Sequence, residues 1–300
     1  MNKYINILTF LAFLSLGLSS ESSIIDRIRL DLELRNDLSL KINTNRSEEE
    51  LVAFIQTIMN TYSIPGLSIA VIKNQNIVWE NYFGYANISD EVLVDENTMF
   101  ILSSVSKTVT ATALMQLFED DLFELEDDID NYLPFNVNHP DYPFIPITFK
   151  MLLSHTSGIQ DNWGVMPYYE GDSPLELSYY LFEYLTPGGQ FYNSNLNFTN
   201  SVPGTNYSYS NIAAALIGLL VEEISSQSFN EYCQENIFNP LEMDNVSWFL
   251  SDINSLDQVA LPYTTNGGSG NTCYDIGCGI YDDSNPCFCD PACVYYNDCC

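Results

Sequence analysis

Ser104-Val105-Ser106-Lys107 sets a hydroxyl and an amine three residues apart. On a helix, residues at that spacing share a face, so the lysine amine can stand beside the serine oxygen and take its proton. The start of a helix adds N–H groups without intrahelical partners and the positive end of the dipole, and both favour the oxyanion that forms on an attacked carbonyl. The same four residues also read as an N-cap serine with a solvated lysine one turn on. Tyr209-Ser210-Asn211 is the second candidate element. A tyrosine near a lysine can accept and return a proton, and an asparagine amide can orient a substrate carbonyl or the lysine. Its plainer reading is a core tyrosine beside an asparagine that caps a helix. The candidate catalytic residues are therefore Ser104, Lys107, Tyr209 and Asn211.

Both elements need helices to hold them. From Ser104 to about Phe118, Val105, Val109, Ala113, Leu114, Leu117 and Phe118 follow a helical period. Ala213 to Ile224 reads as a buried apolar helix, and a further helix is expected over Phe229–Ile237. Upstream, Ser47 and Glu50 form a possible capping box, after which Leu51, Phe54, Ile55 and Ile58 recur at helical spacing to about Tyr62, before Pro65-Gly66. Leu67–Lys73 and Ile77–Tyr85 are rich in β-branched and aromatic residues around Asn74-Gln75-Asn76, which predicts a hairpin whose face the preceding helix can cover. Prolines 134, 140, 143, 146 and 167 interrupt Leu122–Leu185, as suits a mainly helical lobe with long loops. Arg27–Arg35 alternates as an edge strand or a charged leader would.

Composition excludes several functions. Nine Lys and Arg against 40 Asp and Glu give a net charge of −31, which repels a phosphate backbone, so no nucleic acid is expected as a partner. The two histidines, His139 and His155, cannot build a three-histidine metal site, and no metal or cofactor is expected. Ile5–Leu18 is apolar but short of a membrane span, so residues 1–20 read as a cleaved secretory signal, with a signal anchor as the alternative and no span after cleavage. Export agrees with cysteines gathered at Cys273, Cys278, Cys287, Cys289, Cys293, Cys299 and Cys300. It also agrees with Asn-x-Ser/Thr acceptors at Asn45, Asn87, Asn197, Asn206 and Asn245. Asn206 lies three residues from Tyr209, where a glycan could obstruct the site.

Taken in order, Ser103–Thr108, Leu152-Leu153-Ser154-His155-Thr156-Ser157-Gly158, Pro203-Gly204-Thr205, Tyr209-Ser210-Asn211 and Asn239-Pro240-Leu241-Glu242-Met243 resemble the serine β-lactamase-related family, nearest to class C β-lactamases and related esterases and peptidases. The resemblance runs from about Leu51 to Tyr263. It implies an α+β fold with a helical lobe and an antiparallel sheet, with Ser104 as nucleophile, Lys107 and Tyr209 as its proton partners and Asn211 as an orienting amide. It puts His155 in a loop near the pocket rather than in a Ser-His-Asp triad. The family's third motif, Lys or His followed by one residue and Gly, has no counterpart after Tyr209, because the last lysine is Lys150 and the last histidine His155. The sheet's C-terminal strands are likewise expected to be missing. The cysteine pattern resembles a somatomedin-B-like knot, a small extracellular module that binds proteins, with one cysteine short. Cys233 is either its partner or a buried free thiol.

These observations divide the chain into a signal (1–20), a leader (21–46), an incomplete β-lactamase-related domain (47–265) and an incomplete disulfide-rich module (266–300). The knot is expected to be inserted into, or spliced onto, the hydrolase domain of an incomplete or degenerate copy. The implied function is a secreted serine hydrolase acting on a small or peptide amide or ester through an acyl-enzyme. The alternative is a catalytically impaired binding protein that holds a protein partner through the cysteine-rich module.

Overall fold

The serine at position 47 begins the first helix, α1 (Glu48–Tyr62), by accepting the Glu50 N–H at 3.3 Å, while the Glu50 carboxylate accepts the Ser47 N–H at 3.0 Å. Glu48, Glu49 and Glu50 face the positive end of the helix dipole, and Ser63, in a left-handed conformation, ends it. The structure is a computed structural model and describes residues 47–263 except 167, 168 and 170. The expected signal, the leader with its Arg27–Arg35 segment, Asn45 and the cysteine-rich module lie outside the described residues. The chain divides into two compact units, one containing residues 47–96 and 260–263 and the other residues 97–259.

In the first unit, β1 (Gly66–Lys73) and β2 (Asn76–Asn87) pair antiparallel, and β3 (Val92–Leu93) pairs with β2, giving the order β1-β2-β3. Asn74 and Gln75 both have positive φ, 52° and 65°, so the hairpin closes in a two-residue turn whose twist matches its strands. The expected helix-on-hairpin packing is present. Ile55 and Met59 of α1 bury against Phe83, with Val52, Leu67, Ile69 and Trp79 around them. Gly84 is required where β2 passes the end of α1. Its φ is 70°, and a Cβ there would lie 2.1 Å from the Pro65 carbonyl oxygen. Residues 260–263 return to this unit, the Leu261 N–H donating to the Ala86 carbonyl at 2.9 Å.

The second unit is built on two helices, α2 (Ser106–Glu119) and a later 15-residue helix, Asn211–Ser225. Between them lie α3 (Phe149–Leu153) and α4 (Leu177–Leu185); the later helix is therefore α5, and α6 (Phe229–Cys233) follows it. α5 is the centre of the core: Ile212, Ala213, Leu216, Leu219, Leu220 and Val221 are all at most 2% exposed. α2 packs along α5, and α3, α4 and α6 cover its other sides. Phe123 and Phe149 stack at 4.0 Å between centroids beneath the loops.

Three expectations change. Among its described residues, the segment from Leu122 to Leu185 is mostly loop, with α3, α4 and one 3₁₀ turn at Ile129–Asn131 as its helices, because its prolines remove helix donors. The helix over Phe229–Ile237 keeps α geometry only to Cys233 and continues as a π turn over Gln234–Phe238. Ser104 is not the first residue of α2. It sits in a 3₁₀ turn, Ser103–Val105, that leads into it.

Candidate active site

Ser103 adopts φ 47°, an uncommon conformation for a residue with a Cβ, and the Ser106 hydroxyl donates to its carbonyl at 2.6 Å. This bend opens the 3₁₀ turn, where Ser104 is exposed, with Lys107 in the first turn of α2. The lysine Nζ donates to Ser104 Oγ at 3.2 Å. Tyr209 arrives from a distant part of the chain, with its Oη 2.8 Å from Ser104 Oγ. Its ring lies under the same ammonium, 4.9 Å from centroid to Nζ. Three of the four predicted residues therefore form one contact group. The serine oxygen accepts from Lys107, its own hydrogen can turn to Tyr209 Oη, and the serine is exposed to solvent.

Asn211, the fourth, follows Tyr209 by two residues and is bonded to Asp161. It is 7% exposed and is the first residue of α5, not its cap; Ser210 is the cap, accepting the Ala213 N–H at 3.0 Å. The Asn211 Nδ2 donates to Asp161 at 2.7 Å, and its buried Oδ1 has no hydrogen-bond partner among the described residues. Asp161 was not legible as a site residue. Its carboxylate also accepts the Ser210 hydroxyl at 3.1 Å, the Asn211 N–H at 2.8 Å and the Ile212 N–H at 3.1 Å. The backbone donors belong to the first turn of α5, where an anion is doubly favoured by free N–H groups and the dipole.

His155 lines the other side. Its ring lies against Tyr209, 4.6 Å between centroids, and its Nδ1 accepts the Ser210 N–H at 3.3 Å, so the ring proton is on Nε2. Burial holds the imidazole pKa below its ordinary value, the Lys107 charge adds to this, and Asp161 opposes both. The histidine thus supports the tyrosine as a neutral, packed ring. The partners given to Ser104 are Tyr209 and Lys107, so the arrangement is a serine–lysine–tyrosine group rather than a Ser-His-Asp triad. The loop carrying Tyr209 is laced to the His155 segment by Ser208 N–H to His155 O at 2.7 Å and Gly204 N–H to Thr156 O at 2.8 Å.

Among the sequons, Asn197 is excluded as a glycan acceptor by the fold. Its side chain is 0% exposed, and Nδ2 donates to the carbonyls of Tyr184 at 2.9 Å and Phe191 at 2.8 Å. Asn206 and Asn245 are exposed. Cys233 is a buried free thiol whose pKa burial pushes up to about 11, so it is neither a nucleophile nor a ready disulfide former.

The beta-lactamase family model matches residues 51–281, and the chain belongs to that family of serine hydrolases, with its α+β fold. It is 26% identical over 239 residues to Protein flp of Staphylococcus aureus (strain MRSA252), a match covering 75% of this chain and 43% of that protein. It is 28% identical over 224 residues to a D-aminopeptidase of Gluconobacter oxydans (strain 621H), covering 74% of this chain and 38% of the relative. An octameric penicillin-binding protein homologue from Pyrococcus abyssi has the same fold, with a TM-score of 0.57 at 24% identity over 73% of this chain and 48% of that one. The chain thus spans less than half the length of these curated relatives.

Proposed function

We propose that this chain is a serine hydrolase that opens amide or ester bonds through an acyl-enzyme on Ser104. The observation that carries the reading is the serine oxygen held at once by Tyr209 Oη at 2.8 Å and Lys107 Nζ at 3.2 Å. In the form that reacts, the Tyr209–Lys107 pair lacks one proton, as tyrosinate beside ammonium or phenol beside free amine; Ser104 Oγ then attacks the carbonyl carbon as its proton passes to that pair, and the carbonyl π bond becomes an oxyanion. The start of α2 lends that oxyanion the positive end of a helix dipole. Collapse expels the amine or alcohol, which takes the stored proton. Water, deprotonated by the same pair, then releases the acid and restores Ser104. Similarity to a D-aminopeptidase favours small amides or peptides as substrates over other acyl donors.

We also infer that residues 1–20 direct export and that the cysteine-rich segment from about 266 binds a protein partner. The clustered cysteines and the exposed Asn206 and Asn245 sequons support this reading. No single helix among the described residues is long and apolar enough to cross a membrane.

The test is the intact mass of the folded protein before and after a fluorophosphonate, with Ser104→Ala as control. One adduct on the native chain and none on the variant is the expected result. No adduct on folded native protein overturns the hydrolase reading and leaves a binding protein.

A further inference from the structure

We infer that Asp161 is the positioning residue of this site, fixing Tyr209 and Asn211 through a single carboxylate while touching neither substrate nor Ser104. The inference rests on the hydrolase reading only for its effect on rate. Asp161 takes four donors from three consecutive residues: the Ser210 hydroxyl, the Asn211 N–H and Nδ2, and the Ile212 N–H. Each bond sets something. A carboxylate only accepts, so the Asn211 amide must present Nδ2 to it, and Oδ1 must turn the other way. The one Ser210 hydrogen is spent on Asp161, which leaves a serine lone pair to cap Ala213 at 3.0 Å. The two backbone bonds lock the first turn of α5.

Tyr209 is the residue just before this locked triplet, and its side chain reaches 2.8 Å from Ser104 Oγ. On the opposite side, the Ser210 N–H is held by His155 Nδ1 at 3.3 Å, and the His155 ring packs on that of Tyr209. The tyrosine is therefore clamped from two sides, by an anion on the α5 side and by a neutral ring on the loop side. The Asp161 charge also faces His155, where it counters Lys107. An ordinary helix cap would satisfy the N-terminal amides alone. This one also fixes the amide of a candidate catalytic residue and the hydroxyl next to another.

The experiment compares Asp161→Asn, Asp161→Glu and Ser228→Ala with the native chain. Ser228 is the N-cap of α6, its hydroxyl accepting the Glu231 N–H, so its loss weakens a helix start away from the site residues. Two readouts are taken: hydrogen exchange of the peptide spanning residues 204–214, and steady-state rates on an acyl substrate with fluorophosphonate labelling of Ser104. Asp161→Asn keeps the shape but puts an amide against N–H donors. It should speed exchange in that peptide at least tenfold and lower kcat on the order of 10²-fold with KM changed less than threefold, since a small misplacement has that effect. Asp161→Glu should recover part of kcat, and Ser228→Ala should leave both readouts within twofold of native. Native exchange in Asp161→Asn, or a rate loss matched by Ser228→Ala, overturns the inference. If native Ser104 takes no label, the hydrolase reading falls, and the exchange comparison alone still decides the role of Asp161.

Discussion

Tyr209→Phe removes one oxygen and leaves the rest of the site in place. The ring is 42% exposed and keeps both its packing on His155 and its place under the Lys107 ammonium, 4.9 Å from centroid to Nζ. Folding stability should therefore change by no more than about 0.5 kcal/mol. The lost group is the nearer of the two bonded to the serine oxygen, at 2.8 Å against 3.2 Å for Lys107. A positioned acid–base group contributes about 10²–10⁴ in rate, or roughly 3–5 kcal/mol at 1.36 kcal/mol per decade. The assay is the second-order rate of Ser104 labelling by a fluorophosphonate, read by intact mass, beside a urea melt. A hundredfold or greater loss at unchanged stability is expected. Labelling within threefold of native would refute the reasoning and assign the serine proton to Lys107 alone.

Four other outcomes follow from the same structure. Both histidines should titrate below 6.5 by NMR, because burial lowers each pKa, and a resonance titrating above 6.5 would contradict the packing. Each binds its proton less readily folded than unfolded, so its stabilising contribution is full above the unfolded value of 6.5 and is lost as pH falls toward the folded one. Asn197→Asp sets a carboxylate against the Tyr184 and Phe191 carbonyls and should destabilise by about 3 kcal/mol or more, measured by urea unfolding. Chain produced through a secretory pathway should yield glycopeptides at Asn206 and Asn245, whereas folded chain bearing a glycan on Asn197 would refute the burial argument. Ala113→Leu overpacks a fully buried position on α2 at about 1–3 kcal/mol. It should slow Ser104 labelling at least tenfold, whereas Ile147→Val, a core change away from α2 that costs about 0.5–1.5 kcal/mol, should not.

What the sequence disclosed was local. The capping box at Ser47 and Glu50, the Asn74-Gln75 turn and the apolar run of α5 each depend on neighbours within a few residues, and each is formed where expected. The helical period of α1 did not distinguish its buried face, which centres on Ile55 and Met59 and leaves Leu51 36% exposed. Asp161 could not be found this way. It is one of 40 acidic residues, and its partners lie about 50 positions away. The Asn162–Asn197 bond at 2.8 Å, which helps bury an apparent glycosylation site, is hidden for the same reason. The 3₁₀ turn under Ser104 has no sequence signature of its own, because the four-residue motif fits a helix start equally well.

Neither motif alone distinguishes a nucleophile from a capped helix, because each has a plain structural reading that uses the same residues. The packing of α2 against α5 brings the two motifs to one place. Ser104 and Lys107 stand at the N-terminal end of one helix, and Tyr209 stands two residues before the other. Ala113, Leu114 and Leu117 on α2 share one buried cluster with Leu216 and Leu220 on α5, so the separation of those two ends is set by core side chains that carry no chemistry. A tyrosine serving only the core would be buried, yet Tyr209 is 42% exposed and spends its hydroxyl on Ser104. A lysine serving only solvent would not hold its ammonium at hydrogen-bond distance from that same serine. Burial and hydrogen bonding therefore point away from the plain readings for these residues, and they do so at one oxygen atom.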